Sequence, residues 1–229
     1  MRQIWITESG APEVLRVKEA PDPEPGAGAL RIRVEASGVN FADILGRMGL
    51  YPDLPAIPVV AGYEVGGRVD AVGAGVDPDW IGRDVFALTR FGGYADVVCV
   101  PAKRVFARPD GMSAEQGAAI PVNYFTAWQL IVVMGGLKAG ETVLVHSAGG
   151  GVGIAATQIA KHIGATVIGT ASGSKHAALR GFGVDHLIDY RREDFETRAR
   201  EITGGRGVEL ILDAVGGEQM RAREELRSA

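Results

Sequence analysis

The segment that most constrains the fold of this chain is a β-prone run followed by a glycine-rich turn and a helical pattern. The run covers Thr142 to His146, and the turn is Ser147-Ala148-Gly149-Gly150-Gly151-Val152-Gly153. Apolar residues then recur at helical spacing, at Ile154, Ala155, Ile159 and Ile163. Glycines let a backbone approach a phosphate closely, and the amides that open a helix have no partner inside it. The segment therefore predicts a strand–turn–helix unit that holds a pyrophosphate.

The glycines fit the dinucleotide fingerprint G-x-G-x-x-G with one departure. The matching residues are Ala148, Gly150 and Gly153, so that alanine stands at the first glycine position. The strand before the turn, the helix after it and a second strand at Thr166 to Thr170 supply the context that the fingerprint requires. The alternative is a glycine-rich turn with a purely structural role.

The residues after the second predicted strand indicate which dinucleotide binds. In this type of fold an acidic residue about 20 positions beyond the glycines holds the ribose hydroxyls of NAD. No Asp or Glu occurs between Glu141 and Asp185, and the expected position lies in a stretch that contains Ser172 and Lys175. Hydroxyl and ammonium groups accept a 2′-phosphate that a carboxylate would repel. The sequence therefore favours NADP(H); the alternative for Lys175 is a solvated lysine in a helix over residues 174–180.

Composition excludes several classes of protein. The chain has 229 residues and a net charge of −4, with no basic block, which argues against a nucleic-acid-binding protein. No apolar stretch is long enough to span a bilayer, and no signal segment opens the chain. The single cysteine, Cys99, excludes an internal disulfide and fits a reducing compartment, so we expect a cytoplasmic protein with a buried core thiol.

The pattern of the sequence changes near residue 122 and predicts two domains. Before it, β-like runs are separated by Gly and Pro clusters, at Leu30 to Glu35, Glu64 to Val72, Val85 to Thr89 and Tyr94 to Val100. After it, strands alternate with helices that end near glycines, which implies parallel βαβ units; the strands are Thr142 to His146, Thr166 to Thr170, His186 to Asp189 and Val208 to Asp213. A capping box at Ser113 and Gln116 predicts a helix before the second domain, and the apolar spacing of Phe195, Ala199 and Ile202 predicts a covering helix within it.

Several motifs, in order along the chain, resemble one family, the medium-chain dehydrogenase/reductases, and within it the zinc-free quinone oxidoreductases. They are Gly38-Val39-Asn40-Phe41-Ala42-Asp43, Gly49-Leu50-Tyr51-Pro52, Gly62-Tyr63-Glu64, Gly92-Gly93-Tyr94-Ala95, Val122-Asn123-Tyr124-Phe125-Thr126-Ala127 and the glycine loop. The stretches Gly169 to His176 and Ile188-Asp189-Tyr190 are most similar to the branch related to the synaptic-vesicle protein VAT-1. The resemblance implies an α/β fold, with a GroES-like β-rich substrate domain over 1–122 and a Rossmann-type, doubly wound parallel sheet that binds NADP(H) over 123–229.

The resemblance also bears on metal binding and on the reaction. It places Asn40 where the zinc enzymes of the family carry their first cysteine and Tyr63 where they carry a histidine, and neither is a good zinc ligand. Because an alcohol is difficult to activate without a Lewis acid, the expected reaction is reduction of an electrophilic quinone or conjugated enone by NADPH. The alternative class is a non-catalytic relative that binds a nucleotide or a partner.

Roles for individual residues follow by similarity to the family. Asn40 and Thr126 are expected to contact the nicotinamide end, and Tyr51 is expected to line the substrate cleft. The pyrophosphate is assigned to Gly150, Gly151, Val152 and Gly153, and the adenosine phosphate to Ser172, Lys175 and Tyr190. Structural alternatives remain for four of them: a turn-stabilising Asn40, a Thr126 bonded to its own helix, a Tyr51 that only packs its loop, and a Tyr190 that only ends a strand.

The family's second domain has six parallel strands, after which its chain returns to the first domain. In this sequence Asp213 to Gly217 matches the end of the fourth strand, and Glu218 to Ala229 is predicted to be the following helix. We therefore expect a sheet that is incomplete at its C-terminus and lacks the strand through which homodimers of the family form. Such a chain, expressed alone, is expected to self-associate and to turn over poorly.

Overall fold

The computed structural model describes residues 1–214 and 216, which fall into two units, Met1–Val122 and a second that begins at Asn123. The strands of the first unit are β1 (Arg2–Ile6), β2 (Leu15–Glu19), β3 (Ala29–Ser37), β4 (Val59–Val60), β5 (Glu64–Val72), β6 (Asp84–Leu88), β7 (Val97–Pro101) and β8 (Val105–Ala107). The helices that begin in it are α1 (Phe41–Arg47), α2 (Ala114–Ala118) and α3 (Pro121–Trp128). A π-helical segment, Gln129–Met134, continues α3.

The first unit is built from two sheets. A five-stranded antiparallel sheet has the order β7-β3-β5-β6-β8, and a three-stranded sheet has the order β2-β1-β4. Alternate residues of the central strands face the core, among them Leu30 and Ile32 of β3 and Val65 and Val69 of β5, all fully or almost fully buried. These apolar contacts hold β3, which leads into the segment that carries Asn40, and β5, which begins at Glu64.

The second unit is a parallel sheet with helices on its two faces. Its strands are β9 (Thr142–Val145), β10 (Thr166–Ala171), β11 (His186–Asp189) and β12 (Leu210–Leu212), and its helices are α4 (Gly151–Ile163), α5 (His176–Gly181) and α6 (Phe195–Ile202). The sheet order is β11-β10-β9-β12. Val143 and Val145 of β9 pack with α4, whereas Leu144 packs on the opposite face with Phe195 of α6. This two-sided core confirms the predicted doubly wound arrangement.

Most of the predicted elements are present, with shifted ends. Glu64–Val72 and His186–Asp189 are strands with the predicted bounds. The strand predicted from Tyr94 begins only at Val97, and the one predicted from Val208 begins at Leu210. The helix predicted from Ser174 starts as a 3-10 turn, Gly173–Lys175, and becomes α-helical at His176. The helix predicted over residues 218–229 lies outside the described residues.

The expectation of a buried core thiol is wrong. Cys99 is only half-buried, because β7 is an edge strand and its side chain lies opposite Arg31 on β3 and near the Pro23 carbonyl oxygen. Burial still raises the pKa of the thiol, which leaves it uncharged at neutral pH. In the part of the chain that the structure describes, no helix is long and apolar enough to cross a membrane.

Candidate functional site

The glycine-rich turn leads from β9 into α4. Gly150 is the N-cap of α4, and the first backbone bond of the helix runs from the Ile154 N–H to the Gly150 carbonyl. The amides of Gly151, Val152 and Gly153 therefore open the helix ahead of that bond, at its positive end. A Cβ placed on Gly153 would lie 2.5 Å from the Ser147 carbonyl oxygen, so only glycine fits where the turn folds back on the helix.

The alanine in place of the first glycine is accommodated by another glycine on the neighbouring strand. Ala148 is fully buried, and its N–H donates to the Thr170 carbonyl of β10. A Cβ on Gly169 would lie 2.9 Å from the Ala148 Cβ, which is closer than two such atoms approach. Gly169 thus supplies the space that the usual glycine would have left at position 148, and the turn keeps its close packing on the sheet.

Asn123 lies against the first residue of α4. A Cβ on Gly151 would lie 2.4 Å from the Asn123 Oδ1 atom, so the backbone of the turn is open to this side chain only because residue 151 is glycine. The neighbouring Tyr124 hydroxyl donates to Gln158 on α4 and holds α3 against that helix. Thr126, three residues further along α3 than Asn123, has an exposed side chain. The hydroxyl of Thr157, on α4, is instead bonded within its own helix, because it donates to the Gly153 carbonyl at 2.9 Å.

The residues assigned to the adenosine phosphate lie beyond the carboxyl ends of β10 and β11. Lys175 extends over the glycine turn, since its Cδ atom would be 2.8 Å from a Cβ on Gly149. The hydroxyl oxygens of Ser172 and Ser174 are 3.3 Å apart. Tyr190 follows β11 directly and is 55% exposed. The structure therefore brings Lys175 to the glycine turn and places the two serines beside it on the same sheet edge.

A cavity at this edge contains residues that the sequence argument missed. It has a volume of about 400 Å³ and is lined by Ser172, Gly173, Ser174, Asp189, Arg191 and Arg192. The fingerprint predicts an acid only at the end of β10, whereas Asp189 ends the parallel neighbour β11 and pairs with Ala171. The signal was available, because the carboxyl ends of adjacent parallel strands lie at one edge of the sheet. Asp189-Tyr190-Arg191-Arg192 follows that end directly.

In the first unit, Asn40 is held by a buried glutamate. Asn40 is the N-cap of α1, and its side-chain amide donates to Glu64 Oε1 at 2.8 Å. The other carboxylate oxygen of Glu64 accepts the N–H of Val122, at the start of α3, at 2.7 Å. Glu64 is only 1% exposed. The Asn40 side chain is therefore held by Glu64 as well as by its position at the start of α1. Glu64 is a residue of this site that had no role predicted from the sequence.

Two buried carboxyl groups lie near Asn40. Burial raises the pKa of Glu64, although its bonds from Val122 and Asn40 work in the opposite direction. Burial likewise raises the pKa of Asp43, whose carboxylate accepts the backbone N–H groups of Asn40 and Gly62. The pKa of Glu64 is raised further by the nearby charge of Asp43. This part of the first unit therefore disfavours additional negative charge.

Tyr51 belongs to an aromatic cluster with Tyr63 and Phe91. The rings of Tyr51 and Tyr63 meet edge to face with centroids 6.2 Å apart, and Tyr63 and Phe91 are 5.1 Å apart. Burial, followed by the proximity of Tyr51, raises the pKa of Tyr63 far above its usual value, so its hydroxyl stays neutral. Tyr51 is therefore ordered by ring packing, and its role at a substrate cleft remains a prediction.

Asn40 and Tyr63, which the family resemblance assigns to zinc-ligand positions, carry side chains of a different chemistry. The Asn40 amide is engaged with Glu64, and Tyr63 is a neutral phenol. Within residues 1–214 and 216, no group of three or more His, Cys, Asp or Glu side chains is arranged to hold a metal ion. The absence of zinc from this protein remains a prediction for chemical analysis.

Comparison with known proteins gives matches over both units. The model of the alcohol dehydrogenase GroES-like domain matches residues 26–110, and the model described as zinc-binding dehydrogenase matches residues 151–225. The mouse synaptic vesicle membrane protein VAT-1 homolog is 42% identical over 220 residues, which cover 95% of this chain and 54% of the relative. The chain thus spans about half the length of the curated VAT-1 relatives that it matches.

Two solved structures are similar over the whole chain. A quinone oxidoreductase of Escherichia coli in complex with NADPH superposes with a TM-score of 0.91 at 33% identity, covering 100% of this chain and 70% of that one. An NAD-dependent alcohol dehydrogenase superposes with a TM-score of 0.93 at 33% identity, covering 100% of this chain and 75% of the other. Since one relative is solved with NADPH and the other is NAD-dependent, the overall fold does not distinguish the two dinucleotides.

Proposed function

Because this chain belongs to the medium-chain dehydrogenase/reductase superfamily, in the branch of the VAT-1 homologues and quinone oxidoreductases, we propose that it is an NADPH-dependent reductase of quinones or conjugated enones. The observation that carries the proposal is the glycine turn with Lys175 extended over it. A turn that only connected β9 to α4 would need neither the open amides nor a cation beside them.

The residues of the second unit fit a bound dinucleotide. Glycine at 151 and 153 keeps the start of α4 free of side chains, so a pyrophosphate can approach the helix amides. Lys175, with Ser172 and Ser174, offers one cation and two hydroxyls to a phosphate on the adenosine ribose. These residues support NADP(H) over NAD(H), which is the distinction that the relatives leave open.

The first unit contributes neutral side chains that can orient reactants. We assign Asn40 to the nicotinamide end, because Glu64 fixes its amide in one orientation. Thr126, an exposed residue of α3, is assigned to the same end, and Tyr51 to the substrate. The bound nicotinamide supplies the hydride, which carries two electrons to the acceptor. Water supplies the proton that completes the reduction, so no side chain has to act as a general acid.

The proposed chemistry does not use a metal ion. An amide held by a carboxylate and a neutral phenol are poor zinc ligands, so Asn40 and Tyr63 do not provide the thiolate and imidazole pair of a zinc alcohol dehydrogenase. Quinones and enones are electrophilic already. The site then has to orient the reactants and exclude water rather than polarise an alcohol.

The experiment is a steady-state assay of NADPH oxidation with a quinone and with a conjugated enone as acceptors. The proposal predicts acceptor-dependent oxidation that does not change after chelator treatment, and slower oxidation in Asn40→Ala. Nucleotide binding without acceptor-dependent oxidation would favour the alternative of a non-catalytic, nucleotide-binding relative. Oxidation of simple alcohols that depends on zinc would contradict the proposed reaction.

A further inference from the structure

The cavity beside Ser172 is lined by charged side chains that are not part of the nucleotide fingerprint. Arg191 and Arg192 line it together with Ser172, Gly173 and Ser174, which we call the serine turn. Lys175 ends the 3-10 turn that begins at Gly173. Asp189 contributes the opposite charge from the end of β11. Two arginines and the Asp189 carboxylate thus line the cavity where the adenosine ribose is proposed to bind.

Asp189 lies where it would act against a phosphate. Its Oδ2 atom would be 2.8 Å from a Cβ on Gly173, in the middle of the serine turn. A carboxylate at this sheet edge is the group that binds ribose hydroxyls and repels a 2′-phosphate. The side chain is 14% exposed, so water screens its charge less than that of a surface carboxylate. Selection of NADPH therefore requires that this charge be compensated.

Two arginines directly after Asp189 can provide that compensation. The Arg192 Nε atom lies 4.0 Å from Asp189 Oδ2. The backbone N–H of Arg191 donates to Asp189 Oδ1 at 3.1 Å, which fixes the carboxylate relative to the turn. The Arg191 guanidinium carbon lies 5.8 Å from the centre of the Tyr190 ring, so the guanidinium group is placed over an aromatic face at the cavity.

We propose that Arg191 and Arg192 are specificity-determining residues that let this cavity accept a 2′-phosphorylated adenosine despite Asp189. Arg192 neutralises the Asp189 carboxylate, and Arg191 presents its guanidinium group to the phosphate. The inference rests on the proposed function, and it adds residues to the serines, Lys175 and Tyr190. Without the arginines, the acid of β11 would favour the unphosphorylated ribose.

The test compares two probes that differ by one phosphate, adenosine 2′,5′-bisphosphate and adenosine 5′-monophosphate, titrated calorimetrically into the full chain. The ratio of their dissociation constants isolates the 2′-phosphate. Arg191→Gln is expected to lower the preference for the bisphosphate about tenfold, the lower end of the effect of one charged contact. Arg192→Gln is expected to lower it by less, because its side chain is 86% exposed and 4.0 Å from Asp189. Asp189→Asn is expected to raise it. The matched control is Arg206→Gln, an exposed arginine that precedes β12, at the opposite, amino-terminal end of the parallel strands.

A double-variant cycle tests the role of Arg192 separately. If Arg192 acts by neutralising Asp189, Arg192→Gln should cost much less preference in the Asp189→Asn background than in the unmodified chain. A merely structural role for Arg192 would give the same loss in both backgrounds, and that result would overturn the inference.

The inference and the proposed function fail in different ways. If both arginine variants keep the original ratio while Lys175→Ala lowers it, the inference is overturned and the proposed nucleotide site stands. If the unmodified chain binds neither probe, nor NADPH, the proposed function fails and the inference fails with it. A selective loss of bisphosphate binding in the arginine variants, with Arg206→Gln unchanged, supports both.

Discussion

At the scale of single residues, the two units use opposite means of controlling charge. The second unit exposes cations, with Lys175 over the glycine turn and Arg191 and Arg192 at the adjacent cavity. The first unit instead buries carboxyl groups, and Glu64 is fixed between the Asn40 amide and the Val122 N–H. The second unit is therefore suited to bind phosphate, and the first unit to hold neutral groups in place.

Replacement of Lys175 should change nucleotide preference rather than stability. Lys175→Ala removes a charged contact to the 2′-phosphate, and we expect NADPH binding to weaken about tenfold while NADH binding changes little. Fluorescence titration with both nucleotides measures this. Lys138→Ala is the matched control, because this exposed lysine precedes β9 at the amino-terminal edge of the sheet. An equal loss of NADPH and NADH binding would contradict the assigned role.

Replacement of Glu64 should change how stability depends on pH. Burial raises the pKa of Glu64 in the folded chain, so the folded state binds more protons than the unfolded state above the unfolded pKa of about 4.5. The contribution of Glu64 to stability is thus fully present below that pH and is lost as the pH rises through the raised pKa. Glu64→Gln should therefore flatten the fall of stability with pH, by at most about 1.4 kcal/mol per pH unit.

The measurement for Glu64 is urea unfolding of both chains between pH 4.5 and 7.5. Asp43 also has a raised pKa, and its contribution of the same sign should persist in the variant. Parallel pH profiles of the variant and the unmodified chain would show that Glu64 does not titrate differently in the folded state.

At the scale of elements, the site depends on a strand–turn–helix unit whose packing tolerates few side chains. β9 leads into the turn, and Gly150 is the N-cap of α4. Gly153 lies so close to the Ser147 carbonyl that a Cβ would not fit between them. The amides are free for a ligand because this close packing holds the turn in one conformation.

Alanine at two glycines of the second unit should have opposite effects. In Gly153→Ala the new Cβ would meet the Ser147 carbonyl at 2.5 Å, so we expect a loss of about 1–3 kcal/mol in unfolding free energy and weaker binding of NADPH. Gly181→Ala, near the end of α5, meets nothing within 4 Å and should stabilise the chain by roughly 0.5 kcal/mol, because alanine favours helix. Thermal unfolding measures the stability of both variants, and titration with NADPH measures their affinity. Unchanged NADPH affinity in Gly153→Ala would count against the turn as the phosphate site.

The sequence was sufficient for elements with strong local patterns and not for those that depend on partners. The parallel strands and α4 were predicted because their apolar periods and glycines are local signals. The sheet of β1, β2 and β4 was missed, because most residues of β2 are exposed and the strand is defined by its pairing with β1. Asp189 was given no role although β11 was predicted with the correct bounds, because the pairing of β10 with β11 that brings it beside Gly173 was not considered.

At the scale of the whole molecule, the account predicts a protein that needs no metal ion. The family resemblance assigns Asn40 and Tyr63 to zinc-ligand positions, and their amide and phenol groups bind zinc poorly. We therefore expect no stoichiometric zinc in the purified chain and no effect of a chelator on stability or nucleotide binding. Elemental analysis before and after dialysis against a chelator tests this, and one tightly held zinc per chain would reopen alcohol dehydrogenation as the reaction.

The central claim is that the second unit is a site for the phosphorylated dinucleotide, and direct titration of the unmodified chain with NADPH and NADH tests it. Lys175, the serine turn and the two arginines around Asp189 favour a ligand that carries the 2′-phosphate. The account predicts saturable binding of NADPH at one site per chain, at least about tenfold tighter than that of NADH, with a preference that falls as salt rises. Equal affinities for the two nucleotides, or tighter binding of NADH, would contradict it.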